Sequence, residues 1–427
     1  MANNFDSNFT RKLMRSFLDK FESSRVLTKN VDTQMFAGKF NGSTGDTIDV
    51  KRPTDFVTRR TSNGDVSSGA GKSDIITGKA SAVVQDYFTV FVDYEEADEA
   101  IKMDQLDELL APMATRVVTD FETDFAKFMM ANTALLAGTV GTAIGAGGDA
   151  WGDVAEAGAI MQASGIPNDG MWNYAVNPFA QRKLAGDQRS LGGETGTMTA
   201  NTKATIAENF AGLRVMTATT LANYRTGAQG TDRAGTVVGT PVATYVAAKD
   251  TMTQVIGVTA FEFGLEIKAG ETVTIVGPNR LNLSTRLPVI DETGSQVVWT
   301  ATVTADVVLD GSGAGNLTVT GPCINEANGQ YNTADAAIVA GAVITLGGAA
   351  DTVIQPNLFW HKQAFTVASV PIKRLHSTDT FAETEDGMQL RVSKGSGFLE
   401  NENKVRIDFR PAYGVLNPFF AGQGHGN

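Results

Sequence analysis

The chain has 427 residues, a formal net charge of −12, 42% hydrophobic residues and a single cysteine. The length predicts two or three domains, and the composition excludes a disordered chain. The lone Cys323 excludes an intramolecular disulfide, and the acidic charge argues against a dedicated, high-affinity nucleic-acid-binding protein.

The first 21 residues predict a basic amphipathic helix. The segment lacks the continuous apolar core of a signal peptide. Such a helix can lie on a membrane or on protein, and we favour docking on the same or a neighbouring subunit. Its apolar residues step by four, with cations among or opposite them: Phe5, Phe9, Leu13, Phe17 and Phe21, with Arg11, Lys12, Arg15 and Lys20.

A hairpin arm is predicted at residues 46–92. Residues 46–57 and 82–92 have the alternation of strands, and the polar connection between them is unusually long for a compact domain. A projecting hairpin cannot bury its own faces, so it needs a partner. We predict a contact between subunits that joins the basic residues of this arm to an acidic segment, residues 93–99: Lys51, Arg52, Arg59 and Arg60 against Glu95, Glu96 and Glu99.

A long amphipathic helix is predicted at residues 113–136. Pro112 has no amide hydrogen and is expected in its first turn. The apolar stripe comprises Val118, Phe121, Phe125, Phe128 and Leu135. The acidic residues of this region are interpreted as a solvated face rather than as a site: Asp107, Glu108, Asp120, Glu122 and Asp124.

Further along, residues 151–164 predict a helix and residues 173–176 a short strand. Asn177 and Pro178 are expected to cap and open the helix at 179–184. Beyond residue 351, three strands are predicted at 358–368, 388–392 and 405–409.

The sequence pattern changes between residues 226 and 351. Helical periodicity gives way to short Val- and Thr-rich strands separated by Gly-rich turns, which predicts an antiparallel barrel or sandwich. This segment holds 12 acidic and 5 basic residues, so it carries −7 of the net charge of −12. We interpret it as a separately folded insertion in one discontinuous domain. Its predicted strands are 236–247, 253–263, 271–276, 296–304, 316–320 and 338–346.

Catalytic chemistry finds little support in the sequence. His361 is expected to be packed within a strand, and His425 to lie in a mobile Gly-rich tail. No pair of residues has the spacing of metal ligands. The run GAGKS at 69–73 imitates the end of a phosphate-binding loop, but Val66 stands where that motif needs glycine. We therefore predict no enzyme activity, no cofactor and no metal site.

Three stretches carry a family resemblance: EEADEAIKMDQLDELLAPMATRVVTDFETDFAKFMMAN at 95–132, FAGKFNGSTGDTIDVKRP at 36–53 and QPNLFWHKQAF at 355–365. They resemble the major capsid proteins of short-tailed lambdoid phages of enteric bacteria. The resemblance implies an α+β fold of the Hong Kong-97 capsid type with an inserted antiparallel β-barrel domain. The implied segments are an N-terminal arm (1–36), an extended-loop hairpin (37–92), a peripheral domain with a spine helix (93–150), the first part of an axial domain (151–225), the barrel (226–351) and a return segment (352–427).

The resemblance also implies a function. Such a subunit self-assembles, as pentameric and hexameric capsomers, into an icosahedral shell around double-stranded DNA, through a procapsid that expands on maturation. The implied partners are further copies, a scaffolding protein, a portal protein and packaged DNA held non-specifically. Assembly is expected in the bacterial cytoplasm, ending in the virion, with no membrane involved. From the residues alone, a β-rich bacterial surface or binding protein with a helical stalk stays open as an alternative, although the lack of a signal peptide counts against it. The predicted scaffold contacts on the N-terminal helix are Phe5, Phe9, Arg11, Lys12, Leu13, Arg15 and Phe17.

Overall fold

A computed structural model describes most of the chain, and at a few positions in helices and strands only the backbone is described. The described residues are 6–33, 45–58, 60–67, 72–95, 106–190, 203, 206, 209–327, 329–376, 379–397 and 402–426.

Helices and strands are numbered in chain order. The helices are α1 Asp6–Ser24, α2 Leu106–Ala131, α3 Ala150–Ala163, α4 Pro178–Ser190 and α5 Tyr245–Ala248. The strands are β1 Thr47–Lys51, β2 Lys79–Val84, β3 Phe88–Glu95, β4 Leu135–Leu136, β5 Trp172–Val176, β6 Asn209–Phe210, β7 Leu213–Thr217, β8 Tyr224–Arg225, β9 Ala234–Val237, β10 Thr253–Thr259, β11 Glu266–Ile267, β12 Thr272–Asn279, β13 Val298–Val303, β14 Val307–Val308, β15 Gly315–Thr320, β16 Val343–Leu346, β17 Val353–Ile354, β18 Asn357–His361, β19 Phe365–Ser369, β20 Thr380–Glu383, β21 Gln389–Gly397, β22 Glu402–Phe409, β23 Pro411–Val415 and β24 Ala421–Gly424.

The first of two compact units comprises Met1–Asp49, Ser81–Ala126 and Phe365–Val415. It holds most of two four-stranded sheets, ordered β1-β2-β23-β19 and β20-β21-β22-β3. Its core contains an aromatic cluster in which the ring of Phe409 lies 5.2 Å from that of Phe21 and 4.8 Å from that of Phe121. These rings come from β22, α1 and α2, so one cluster joins three elements that are distant in the sequence.

The second unit comprises Val50–Ala80, Lys127–Ala364 and Leu416–Asn427. It contains a six-stranded mixed sheet, β4-β24-β18-β5-β7-β6, and a closed barrel, β10-β15-β13-β12-β16-β9. Every pairing within the barrel is antiparallel. Trp299, Ile256 and Ile275 are fully buried inside it. The six strands predicted for the insertion therefore form its barrel, although the first is shorter than predicted and is followed by a loop and α5.

The long helix and the strand at 82–92 differ from prediction. The helix begins at Leu106, so Pro112 lies inside it rather than in its first turn. Leu110 and Met113 on either side are buried, and this burial helps to offset the loss of the one backbone hydrogen bond that proline cannot donate. The predicted strand is two strands, β2 and β3, which belong to different sheets.

The long helix also ends at Ala131 instead of at 136. The side chains of Asn132 and Thr133 donate to the carbonyls of Phe128 (2.8 Å) and Met130 (3.2 Å) and so satisfy its terminal acceptors. Residues 135–136 then form the strand β4. Elsewhere, α4 begins at Pro178 as predicted, with the amide of Ala180 donating to the Asn177 side chain at 2.7 Å.

Candidate assembly surfaces

The hairpin arm presents apolar side chains that nothing covers among the described residues. Strands β1 and β2 lie side by side at its base, and residues 52–58, 60–67 and 72–78 extend beyond them without strand structure. Phe56, Val57, Val66 and Ile75 are between 43% and 76% exposed. Large apolar side chains left uncovered on a segment without strand structure make this arm a candidate surface for contact with another molecule.

The basic residues of the arm divide between surface and interior. Lys51 and Arg60 are exposed, and Arg59 lies outside the described residues. Arg52 is only 8% exposed. Its guanidinium donates to the carbonyl of Lys79 at 3.0 Å and to that of Leu416, and burial lowers the pKa of Arg52 to about 10. Arg52 therefore holds its own subunit together, which corrects its predicted role at a contact between subunits.

The N-terminal helix α1 packs its predicted stripe into its own unit. Leu13, Phe17 and Phe21 are fully buried. Leu13 and Phe17, predicted to contact a scaffolding protein, are therefore core residues, and this corrects their predicted role. Arg11 and Arg15 are exposed, as a partner contact requires. Phe5 lies outside the described residues, and of Phe9 and Lys12 only the helical backbone is described.

Glu122 fastens the turn that follows α1. It was predicted to lie on a solvated face, yet it is 1% exposed. Its carboxylate accepts from the amides of Leu27 (2.8 Å) and Thr28 (3.0 Å) and from the Thr28 hydroxyl. The three donors compensate for the burial of the carboxylate. The prediction was wrong for Glu122 because its partners lie almost a hundred residues away in the sequence.

The acidic segment, residues 93–99, is described only at its start. Asp93 on β3 is exposed, with its carboxylate 4.0 Å from the ammonium of Lys404. Glu95 ends β3, and only its backbone is described. Glu96 and Glu99 lie outside the described residues. The predicted contact of this segment with the arm of a neighbouring subunit stays a prediction.

A basic cleft in the first unit was not predicted from the sequence. It encloses about 740 Å³ between Tyr87, the segment 370–375 and the strands β21 and β22. Among the described residues, its lining includes the acidic Asp46 and four cations: Lys373, Arg391, Arg406 and Arg410. Lys404, Arg406 and Arg410 are separated by even numbers of residues, which places them on the same face of a strand. This pattern in the sequence could have revealed the basic cleft.

Asp408 lies beneath the cations of this cleft. Its carboxylate accepts from Arg391 at 2.5 Å, from Arg406 at 2.6 Å and from the Thr89 hydroxyl at 2.7 Å. Burial acts to raise the pKa of Asp408, but these hydrogen bonds outweigh burial and lower it. One carboxylate thus faces two guanidinium groups, and the cleft keeps a positive charge that suits an acidic side chain or a phosphate.

The histidines and the cysteine show no catalytic arrangement. Nε2 of the buried His361 lies 3.1 Å from a carboxylate oxygen of Asp169, as expected for a packed histidine. His425 is not in a mobile tail, because β24 just before it pairs with β18 and its Nε2 lies 3.3 Å from Glu156. Cys323 is buried. Across the described ranges, no group of three or more His, Cys, Asp or Glu residues could hold a metal ion, and no helix could span a bilayer.

Comparison with known proteins gives one family. The family described as P22 coat protein, gene protein 5, matches residues 1–425. The chain is 35% identical over 434 residues to a protein described as the major capsid protein of Acyrthosiphon pisum secondary endosymbiont phage 1, with all of both chains covered. It is similar to a solved structure from Mycobacterium phage Che8, with a TM-score of 0.47 and 11% identity over 93% of this chain and 90% of that one. A second similarity is to the capsid of cyanophage P-SCSP1u, with a TM-score of 0.42 and 11% identity over 89% and 83% of the two chains.

Proposed function

The chain belongs to the P22 coat protein family and is the major capsid protein of a phage, and we propose that its copies join through the hairpin arm during assembly of a precursor shell. It is a structural protein of the virion and not an enzyme. The predicted α+β capsid fold with an inserted antiparallel barrel is confirmed, because the closed barrel lies within residues 226–351 of a chain in this family. Copies of the chain therefore associate with one another to form a shell.

The exposed apolar side chains of the arm carry this proposal. Burying one large apolar side chain is worth about 1.5–3 kcal/mol. A neighbouring subunit that covers Phe56 and Ile75 therefore gains several times the energy of an exposed ion pair, about 0.2–1 kcal/mol. In this proposal, the arm also pairs by charge with the neighbouring subunit, which sets the orientation of the contact. The cations are Lys51, Arg59 and Arg60, and they face Glu95, Glu96 and Glu99 of the neighbour.

We further propose the finer steps that the sequence resemblance implied. Subunits form pentameric and hexameric capsomers in the bacterial cytoplasm, together with a scaffolding protein and a portal protein. The shell expands when it packages DNA, which it contacts non-specifically. The proposed phage is of the short-tailed lambdoid group that infects enteric bacteria.

The scaffold contact is proposed for the exposed face of α1. Arg11 and Arg15 are available there, and Phe5, Phe9 and Lys12 stay part of the predicted set. Leu13 and Phe17 are left out because they are buried in the subunit's own core. A basic face on an otherwise acidic chain favours an acidic partner surface.

The division into six segments predicted from the sequence is retained as a proposal. All six barrel strands lie between Ala234 and Leu346, which supports the proposed insertion at 226–351. Arg225, just before the proposed insertion, and Asp351, its last residue, form an ion pair at 2.9 Å at its base.

The test is the double variant Arg59→Glu with Arg60→Glu. We expect the subunit to keep its melting temperature but to form few shells, measured by sedimentation velocity and negative-stain electron microscopy. A control exchanges two exposed cations outside the arm, Arg182→Glu with Lys362→Glu, and should assemble normally. Normal shells from the arm variant would refute the role of arm charge while leaving the capsid function intact.

A further inference from the structure

The exposed part of the hairpin arm contains an Asn-Gly dipeptide at residues 63–64. Both residues are exposed, and Gly64 has a φ of +76°. No described atom lies within 4 Å of the position that a Cβ would take at Gly64. Glycine adopts this left-handed conformation without strain, and it has no side chain to shield its own amide nitrogen. Water and the side chain of Asn63 therefore both have access to this nitrogen.

The side chain of Asn63 is folded back over the backbone that follows it. Its Oδ1 accepts from the amide of Asp65 at 3.1 Å, which makes an Asx turn. The ring closed by this hydrogen bond contains both Cγ of Asn63 and the amide nitrogen of Gly64. The bond from Asp65 also polarises the side-chain carbonyl, because a donor on that oxygen stabilises the negative charge that develops when Cγ is attacked. One turn thus holds an electrophilic carbon and a nitrogen that can attack it.

The amide of Gly64 differs from that of another Asn-Gly dipeptide in the chain. Within the described residues, the amide nitrogen of Gly64 makes no hydrogen bond. The other dipeptides are at residues 41–42, which lie outside the described residues, and at 328–329. The amide of Gly329 donates to the carbonyl of Glu326 at 3.0 Å. A nitrogen that donates in a backbone hydrogen bond can attack only after that bond has opened, so the fold distinguishes residues 63–64 from 328–329.

We propose that Asn63 is a site of spontaneous deamidation. The amide nitrogen of Gly64 loses its proton to hydroxide and attacks Cγ of Asn63, forming a carbon–nitrogen bond. The bond from Cγ to the side-chain nitrogen breaks, and that nitrogen takes up protons from water and leaves as ammonia. Water then opens the five-membered succinimide at one of its two carbonyls, which gives either aspartate or an isoaspartyl linkage at position 63. One water is consumed and one ammonia is released, and no oxidant or reductant takes part.

Each conversion adds a negative charge to a basic arm. Residues 51–79 contain six basic and three acidic residues, so their net charge falls from +3 to +2. The consequence for assembly rests on the proposed role of the arm between neighbouring subunits, whereas the modification itself rests on the turn alone. Free subunits lose charge complementarity with a neighbour as they age, and an arm that is covered within a shell is shielded from water and converts more slowly.

The experiment incubates the folded full-length subunit at several pH values in isotopically labelled water, with a parallel sample in urea. Peptide mapping by mass spectrometry follows Asn63 and Asn328. In the folded subunit we expect Asn63 to convert at least about fivefold faster than Asn328, the equilibrium factor of one backbone hydrogen bond. The two rates should become similar in urea. The rate at Asn63 should rise with pH, because the attacking nitrogen must lose its proton, and the product should carry the label. The control, Asn63→Gln, has a longer side chain that cannot close the five-membered ring and should stay unconverted.

Equal rates at Asn63 and Asn328 in the folded subunit, a rate at Asn63 that does not depend on pH, or an unlabelled product would each overturn the inference. The variants Asn63→Asp and Asn63→Gln then test the consequence for assembly. We expect Asn63→Asp to need up to about fivefold more subunit to form shells, the factor of one exposed charge pair, and Asn63→Gln to assemble as wild type does. If Asn63 converts in the free subunit but Asn63→Asp assembles normally and shells give no protection, the proposed role of the arm is contradicted while the modification site stands.

Discussion

Glu122→Gln tests whether the turn after α1 depends on one buried carboxylate. Glutamine keeps the size of the side chain but replaces one acceptor oxygen with an N–H donor. In the better of its two orientations, the side-chain oxygen of the glutamine still accepts from the backbone N–H and the hydroxyl of Thr28. The backbone N–H of Leu27 then loses its acceptor. A buried donor left unsatisfied costs about 1–3 kcal/mol. We expect the free energy of unfolding to fall by that amount.

The matched control is Asp120→Asn, two residues earlier on the same helix. The side chain of Asp120 is 44% exposed and pairs with Arg116 at 3.0 Å, one helical turn away. Such a pair contributes about 0.3–0.5 kcal/mol. Urea unfolding measures both variants, and amide hydrogen exchange at Leu27 and Thr28 locates the change. Two results would refute the assignment of Glu122 as the residue that holds this turn. One is an equal loss of unfolding free energy in the two variants, and the other is unchanged exchange at the amides of Leu27 and Thr28 in Glu122→Gln.

Three further predictions concern the core of α1, the insertion and the C-terminal strand. Leu13→Ala should lower subunit stability by about 2–5 kcal/mol in urea unfolding, whereas a contact used only between molecules would leave the subunit unchanged. A fragment of residues 226–351 should melt cooperatively by circular dichroism, because its barrel closes on itself, and a non-cooperative melt would contradict this. The hydrogen bond to Glu156 raises the pKa of His425, so the stabilisation that protonation provides is complete below the ordinary pKa of about 6.5 and is lost as pH rises through the raised value. Amide exchange at Gly424 should therefore show more protection on the acidic side, corrected for intrinsic rates, and His425→Gln should remove the difference.

Local pattern was sufficient to predict elements and faces but not their partners. The step of four along α1 identified Leu13, Phe17 and Phe21 as one apolar face, and that face is buried. It packs in its own subunit, with the ring of Phe21 next to those of Phe121 and Phe409. A periodicity shows which side of a helix avoids water, whereas the surface that covers it is formed by residues a hundred or more positions away.

For the insertion too, the sequence predicted the strands but not how they pair. Loss of helical period and recurring Gly-rich turns indicated six strands, and six strands form the barrel. Closure was left open between barrel and sandwich because it depends on pairing β9 with β16, which are separated by about a hundred residues. The basic cleft was missed for a related reason, since Lys373 and Arg406 come together only when the segment at 370–375 crosses β21 and β22.

The burial of Arg52 changes how the arm is expected to work. Of the cations predicted to give the arm its affinity, Lys51 and Arg60 are exposed in the described part of the chain, and each contributes at most about 1 kcal/mol at a surface. The exposed side chains of Phe56 and Ile75 offer about 1.5–3 kcal/mol each when covered. Apolar burial should then supply most of the affinity between neighbouring subunits, while charge selects the orientation. Hydrophobic burial has no preferred direction, so an arm that binds mainly in this way also needs directional contacts, and within the subunit its flanks accept hydrogen bonds from Arg286 at Asp55 and from Tyr331 at Ile76.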